Sequence, residues 1–156
     1  MVAPTNRLLP YLDRHDIEYE LIHHRLDYSA QRTAADTHTP GHAFAKVVVL
    51  EAQGRPVMAV VPAPEKVDLD KASDALGAPA KLADETTLAR LFPDAEVGAE
   101  PPFGNLYDLP VYVSPHLVDD ESITFNAGSH EQAVRMRWAD YEKMVQPRVA
   151  DLTYAR

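Results

Sequence analysis

Apolar positions fall in short runs broken by proline and glycine. The densest is Ala45-Lys46-Val47-Val48-Val49-Leu50, answered by Val57-Met58-Ala59-Val60-Val61 across Gln53-Gly54-Arg55-Pro56. Two such runs joined by a glycine-containing turn predict a hairpin. Neither run alternates apolar with polar residues, so both faces of the hairpin are expected to be covered. Pro62 and Pro64 end its second strand. Upstream, Ile17, Tyr19 and Leu21 alternate with Glu18 and Glu20, which predicts a strand with one wet face. Leu8, Leu9 and Leu12 predict a first helix capped by Thr5, with Pro10 awkward inside it. Ser29 opens a second helical pattern through Ala30, Ala34 and Ala35, ended by Pro40-Gly41.

Downstream, Asp68 caps a predicted helix carrying Leu69, Ala72, Ala75 and Leu76, closed by Gly77. Asp84 caps another with Leu88, Leu91 and Phe92, stopped by Pro93. Then come a predicted strand at 96–98, the loop Pro101-Pro102-Phe103-Gly104, a strand at 109–113 and a polar turn at Asp119-Asp120-Glu121. Strands at 123–126 and 133–136 flank a turn, and Trp138, Tyr141, Met144 and Val145 form a last amphipathic helix ending before Pro147. This order mixes hairpins with helices. It predicts an α+β domain with a mixed, largely antiparallel sheet, and periodicity does not say whether that sheet closes. No repeat or linker divides residues 1–156, so a single domain is expected.

Composition narrows the function classes. No apolar run reaches membrane-spanning length, and the N-terminus lacks a signal-peptide layout, so a cytoplasmic protein without a membrane partner is expected. The absence of cysteine removes disulfides, thiolate metal sites and a cysteine nucleophile. A net charge of −9 argues against duplex DNA as a partner, because such binding rests on many Lys and Arg contacts to phosphate.

The turn Phe125-Asn126-Ala127-Gly128-Ser129-His130 is the most suggestive stretch. Ala127 and Gly128 admit close approach to the main chain, and Asn126, Ser129 and His130 add donors and acceptors. Gly-Ser-His lacks the second glycine of a nucleophile elbow, so Ser129 is a weak nucleophile candidate. His130 is a general base, a hydrogen-bond donor or a turn histidine. Lys46, alone among apolar neighbours, either snorkels to water or stands as a cation at the mouth of a pocket. The loop from Gly98 through Pro101, Pro102, Phe103 and Gly104 reads as a rigid connection or a pocket wall, with an exposed aromatic. His38 and His42 are separated by Pro40-Gly41, and His23-His24 point opposite ways in a strand, so no metal site is expected. There is no phosphate-binding glycine fingerprint.

Taken in order, Lys46, the Gly98 to Gly104 loop, and Phe125 to His130 followed by Ala133-Val134 resemble the YbaK/ProX family of aminoacyl-tRNA editing domains, which also occurs inserted in bacterial prolyl-tRNA synthetases. The resemblance spans about Thr5 to Pro147. It implies a barrel-like mixed sheet flanked by helices, and deacylation of a tRNA carrying a small wrong amino acid, with the tRNA 3′ acceptor end as partner and no cofactor. Lys46 matches the family lysine near the terminal nucleotide. Gly128 and His130 match the loop lining the aminoacyl pocket, with Asn126, Ala127 and Ser129 beside them. Pro101, Pro102, Phe103 and Gly104 match the loop on its other side.

An aminoacyl ester is already activated, so the implied chemistry needs a placed water, donors near the carbonyl, and exclusion of large acyl groups. The main-chain N–H groups around Gly128 are the expected oxyanion donors, with His130 in a positioning role. Arg25, Arg32, Lys66, Lys71, Lys81, Arg135 and Arg137 are candidates for a small basic rim. Docking on a synthetase is the alternative source of tRNA affinity. The rival function is a non-catalytic module that binds aminoacyl-adenosine or a nucleotide, or docks on a synthetase.

Overall fold

The computed structural model describes residues 7–23 and 44–154. The Thr5 cap, the helix expected from Ser29, and Arg25, Arg32, His24, His38 and His42 lie outside these residues. The first helix, α1, is Leu8–Arg14. Pro10 lies in its first turn, where an N–H has no intrahelical acceptor, so the ring costs little there. A seven-residue helix is not stable alone. Full burial of Leu8 and Leu12 holds it, at about 1.5–3 kcal/mol each.

Strand β1 (Tyr19–His23) follows, then β2 (Phe44–Ala52) and β3 (Arg55–Pro62), the expected hairpin. Its turn residues Gln53 and Gly54 both have positive φ, as a tight hairpin turn requires. Helix α2 (Leu69–Leu76) starts where the Asp68 carboxylate accepts the N–H groups of Asp70 and Lys71, and ends at Gly77 in the left-handed region. The short strand β4 (Ala80–Leu82) leads to α3 (Glu85–Leu91), capped by Asp84 accepting from Thr87 N–H. A 3-10 turn (Gly104–Leu106) precedes β5 (Val111–Val113) and α4 (Pro115–Val118). Strands β6 (Ser122–Ser129) and β7 (Gln132–Arg137) form a hairpin, followed by α5 (Trp138–Val145) and β8 (Arg148–Val149).

The eight strands make one mixed sheet in the order β1-β7-β6-β2-β3-β5-β8, with β4 added beside β2. The sheet is open among the described residues: β1 and β8 stand at its two ends. The strand expected at 96–98 is a turn, and the one expected at 109–113 begins only at Val111, after Pro110. Strands β4 and β8 and helix α4 are too short to leave a periodic signal.

Alternate residues of the central hairpin enter two separate cores. Val49, Met58 and Val60 join the main cluster with Phe103, Phe125 and Tyr141. Leu50, Ala59 and Val61 pack with Ala72 and Leu152 on the other side. Both faces are therefore covered, as the unbroken apolar runs require.

Strand β2 is the hub. Along one edge it pairs with β3 from Ala45 to Ala52. Along the other it pairs with β6 only at Phe44 and Ala45, in parallel, and with β4 only from Leu50 to Ala52. The two neighbours part between these points, and Lys46 is the first residue inside the parting.

Candidate active site

Register decides which side chains meet. Phe44 pairs with Thr124 and Ala45 with Phe125. Paired residues share a face and neighbours along a strand alternate. Lys46 and Asn126 therefore project to one side of the sheet, while Phe125 and Ala127 enter the main core on the other. Across the hairpin Lys46 pairs with Val61, which belongs to the second core.

Lys46 is partly buried. Burial lowers its pKa from the ordinary lysine value, neighbouring Lys66 adds to the fall, and Glu65 opposes it. Asn126 is only 6% exposed, and its Oδ1 has no hydrogen-bond partner among the described residues. A buried acceptor left unsatisfied costs about 1–3 kcal/mol, and this oxygen stands as an open acceptor on the face that carries Lys46.

The β6–β7 turn is pinned to residues 96–99. Gly128 has φ +91, and the strand register shifts between Asn126 and Ser129. The Gly128 N–H donates to the Ala99 carbonyl at 2.9 Å, and its carbonyl accepts the Glu96 N–H at 2.8 Å. The expected oxyanion role of that N–H is thus corrected: it is already occupied. The Ser129 hydroxyl accepts the Glu131 N–H at 3.0 Å and serves the turn itself.

His130 is 4% exposed. Its main-chain N–H donates to Glu96 Oε1 at 2.9 Å. Nε2 lies 2.8 Å from the Val97 carbonyl, which can only accept, so Nε2 carries the proton and donates. Gly98, at φ +89, packs against the ring. The Glu100 carboxylate, also buried, accepts the Gly98 N–H at 3.0 Å. Burial raises the Glu100 pKa, while its main-chain hydrogen bonds and His130 pull it down. These contacts make His130 a clamp between two loops.

The loop at 101–104 differs from its expected form. All four residues are buried, and Phe103 is 0% exposed, so the exposed aromatic is corrected to a core residue. Its ring packs on Phe125 at 5.6 Å and edge-on to Tyr141 at 5.3 Å. The Tyr141 hydroxyl donates to the Pro102 carbonyl at 2.7 Å. A Cβ on Gly104 would stand 2.5 Å from the Leu109 carbonyl oxygen. Phe103 therefore buttresses β6 from the side away from Lys46.

The basic rim also changes. Lys71 pairs with Asp151, Lys81 with Glu51, Arg135 with Glu20 and Arg137 with Asp140. Lys66 instead lies close enough to Lys46 to perturb it. A cavity of about 490 Å³ lined by Gln53, Arg55, Leu76, Asp108 and Tyr112 lies at the far end of the β2–β3 hairpin and includes none of the candidate residues. No helix among the described residues is long and apolar enough to cross a membrane.

Linear reading missed the groups around Glu65. This carboxylate is 7% exposed, lies near Lys46 in the fold, and is bonded to His116 and Thr153. The partners are 51 and 88 residues away, so no local pattern announces them.

A family model described as aminoacyl-tRNA editing domain matches residues 24–144. No curated protein matches the sequence significantly. Among solved structures, one from epitope backbone grafting by computational design onto scaffold proteins superposes at TM-score 0.88 and 18% identity, covering 100% of both chains. A second, described as a candidate trans-editing enzyme for prolyl tRNA synthetase, gives 0.86 and 19% over 99% of both. A third, a hypothetical protein, gives 0.83 and 15% over 93% of this chain and 97% of the other.

Proposed function

The chain belongs to the aminoacyl-tRNA editing domain family, and on that premise we propose that it is an aminoacyl-tRNA deacylase acting in trans on tRNA that carries a small wrong amino acid. The observation that carries this reading is that Lys46 and Asn126 Oδ1, unpartnered among the described residues, share one sheet face where β6 parts from β2. The description of one structural neighbour as a candidate trans-editing enzyme for prolyl tRNA synthetase makes tRNA-Pro the first tRNA to try.

The reaction is hydrolysis of an ester. A water oxygen adds to the acyl carbon, negative charge grows on the former carbonyl oxygen, and the bond to the ribose oxygen breaks as that oxygen takes a proton. The Lys46 ammonium stabilises the negative end of the substrate, either the growing oxyanion or the terminal phosphate. Asn126 Oδ1 accepts from the substrate's α-ammonium and fixes the acyl group's orientation. The neighbouring ribose hydroxyl assists the water. His130 holds the β6–β7 turn against residues 96–99, and buried Phe103 supports β6 from beneath, so the site resists widening for larger side chains.

A panel of mischarged tRNAs tests the reading. At least one small-side-chain ester should be cleaved faster than it decays spontaneously, with the rate falling about 10²–10³-fold in Lys46→Ala or Asn126→Ala. Spontaneous rates across the whole panel would sink it.

The occupied Gly128 N–H favours one second reading, a module that binds the aminoacyl-adenosine end without cleaving it. Calorimetry with a non-hydrolysable mimic separates the two: tight binding by a protein that turns over no ester supports the module.

A further inference from the structure

The segment after β3 brings a second charged group to the face that carries Lys46. The Ala63 N–H donates to the Phe44 carbonyl, and the Glu65 N–H turns back to the Pro62 carbonyl at 3.0 Å. Pro62 pairs with Ala45, so Glu65 is returned beside the start of β2. Its carboxylate sits in a built socket. His116 Nδ1 lies 2.8 and 3.0 Å from its two oxygens, and the Thr153 hydroxyl donates to Oε1 at 2.7 Å.

Each arm of that socket is fixed independently. His116 is the second residue of α4, where its N–H donates to the Ser114 hydroxyl, and the Ser114 N–H is tied to the Val60 carbonyl. Thr153 bridges Val67, its carbonyl accepts the Lys71 ammonium at 2.8 Å, and Tyr154 N–H donates to the Lys66 carbonyl. Leu152, next to Thr153, packs in the same core as Val61, the cross-strand partner of Lys46. A carboxylate so buried is held for a reason, since leaving water costs it several kcal/mol unless cations and donors compensate.

We infer that Glu65, anchored by His116 and Thr153, is a positioning residue that fixes the Lys46 ammonium at the parting of β2 and β6. The inference rests on the deacylase reading for its purpose and on geometry for its existence. Two like charges, Lys46 and Lys66, share this corner, and one buried carboxylate, not in direct contact with Lys46, offsets their repulsion through space. On the β7 side of the same face, Arg135 is bonded to Glu20 and Thr124. Among the described residues, Lys66 and Glu65 are the charged groups whose fields reach Lys46, Lys66 lowering and Glu65 raising its pKa.

The test reads Lys46 directly. Lysines are reductively ¹³C-methylated and followed by NMR against pH, with Lys46→Arg identifying the resonance. In Glu65→Gln the Lys46 signal should titrate lower by about half a pH unit or more, because its counter-charge is gone. Glu65→Asp, which keeps the charge, should restore most of the shift. In the same variants, deacylation should lose its alkaline limb at correspondingly lower pH, with KM rising more than kcat falls. Should Glu65→Gln not fold, the coupling is read from the other side: Lys46→Met should raise the pH at which the ¹³C-labelled Glu65 carboxyl titrates. An unmoved Lys46 signal in folded Glu65→Gln, or an unmoved Glu65 signal in Lys46→Met, overturns the inference. An inactive wild-type protein counts against the deacylase reading alone, because the two NMR titrations need no turnover.

Discussion

Gly98 and the His130 ring are in contact: a Cβ built on Gly98 would stand 3.3 Å from His130 Cε1 and 3.6 Å from Nε2. The same glycine has φ +89, a backbone state that side chains resist. Gly98→Ala therefore meets backbone strain and a crowded ring together. It should cost about 1–2 kcal/mol in chemical denaturation and should reduce deacylation by loosening the Val97 carbonyl from Nε2. A variant as stable and active as wild type would show that the clamp is slack.

His130→Gln separates positioning from proton transfer. A glutamine amide can still donate to the Val97 carbonyl, so a clamping role predicts activity within a few-fold of wild type. A general base would instead lose about 10²–10⁴ in kcat. His130→Ala removes the donor outright and should destabilise by about 1–3 kcal/mol, the cost of orphaning a buried acceptor.

Lys46→Met should trade activity for stability. The folded pKa of Lys46 lies below that of the unfolded chain, chiefly through burial. The unfolded chain therefore binds more protons between the two values, and folding gains stability as pH rises through that window. At neutral pH the cost of the buried ammonium is fully present. Lys46→Met should be at least as stable as wild type at pH 7, and the advantage should shrink as the pH rises toward the ordinary lysine value. Denaturation curves at the two ends of that range check this, and a less stable Lys46→Met at pH 7 contradicts it.

Gly104→Ala probes the buttress. The added methyl group would stand 2.5 Å from both the Leu109 carbonyl oxygen and Val111 Cγ2. Main chain cannot yield as a flexible side chain does, so a loss of about 2–3 kcal/mol is expected. Urea midpoints measure it, and a loss below about 1 kcal/mol means the loop at 101–104 relaxes more freely than its burial implies.

The parts of the molecule legible in the sequence are those whose signals are local. The Asp68 and Asp84 caps, the Gly77 stop and the Gln53-Gly54 turn each depend on neighbours in the chain, and each is readable there. Lys46 stands out because a cation inside an apolar strand needs a reason. Phe103 misleads because proline and glycine neighbours look like an exposed loop, whereas the ring's partners Tyr11, Phe125 and Tyr141 come from three distant segments. The state of the Gly128 N–H is equally hidden, since its acceptor is the carbonyl of Ala99. The socket of Glu65 joins residues 51 and 88 positions away, a distance no periodicity spans.

A strand bound to one neighbour alone can slip two residues and keep its faces. Strand β2 is denied that freedom, because β3, β4 and β6 each grip a different stretch of it. Sliding it would break three ladders at once. Lys46 thus inherits the place of its Cα, and the face it enters, from main-chain pairing, and only the flexible stem is left for Glu65 to steer.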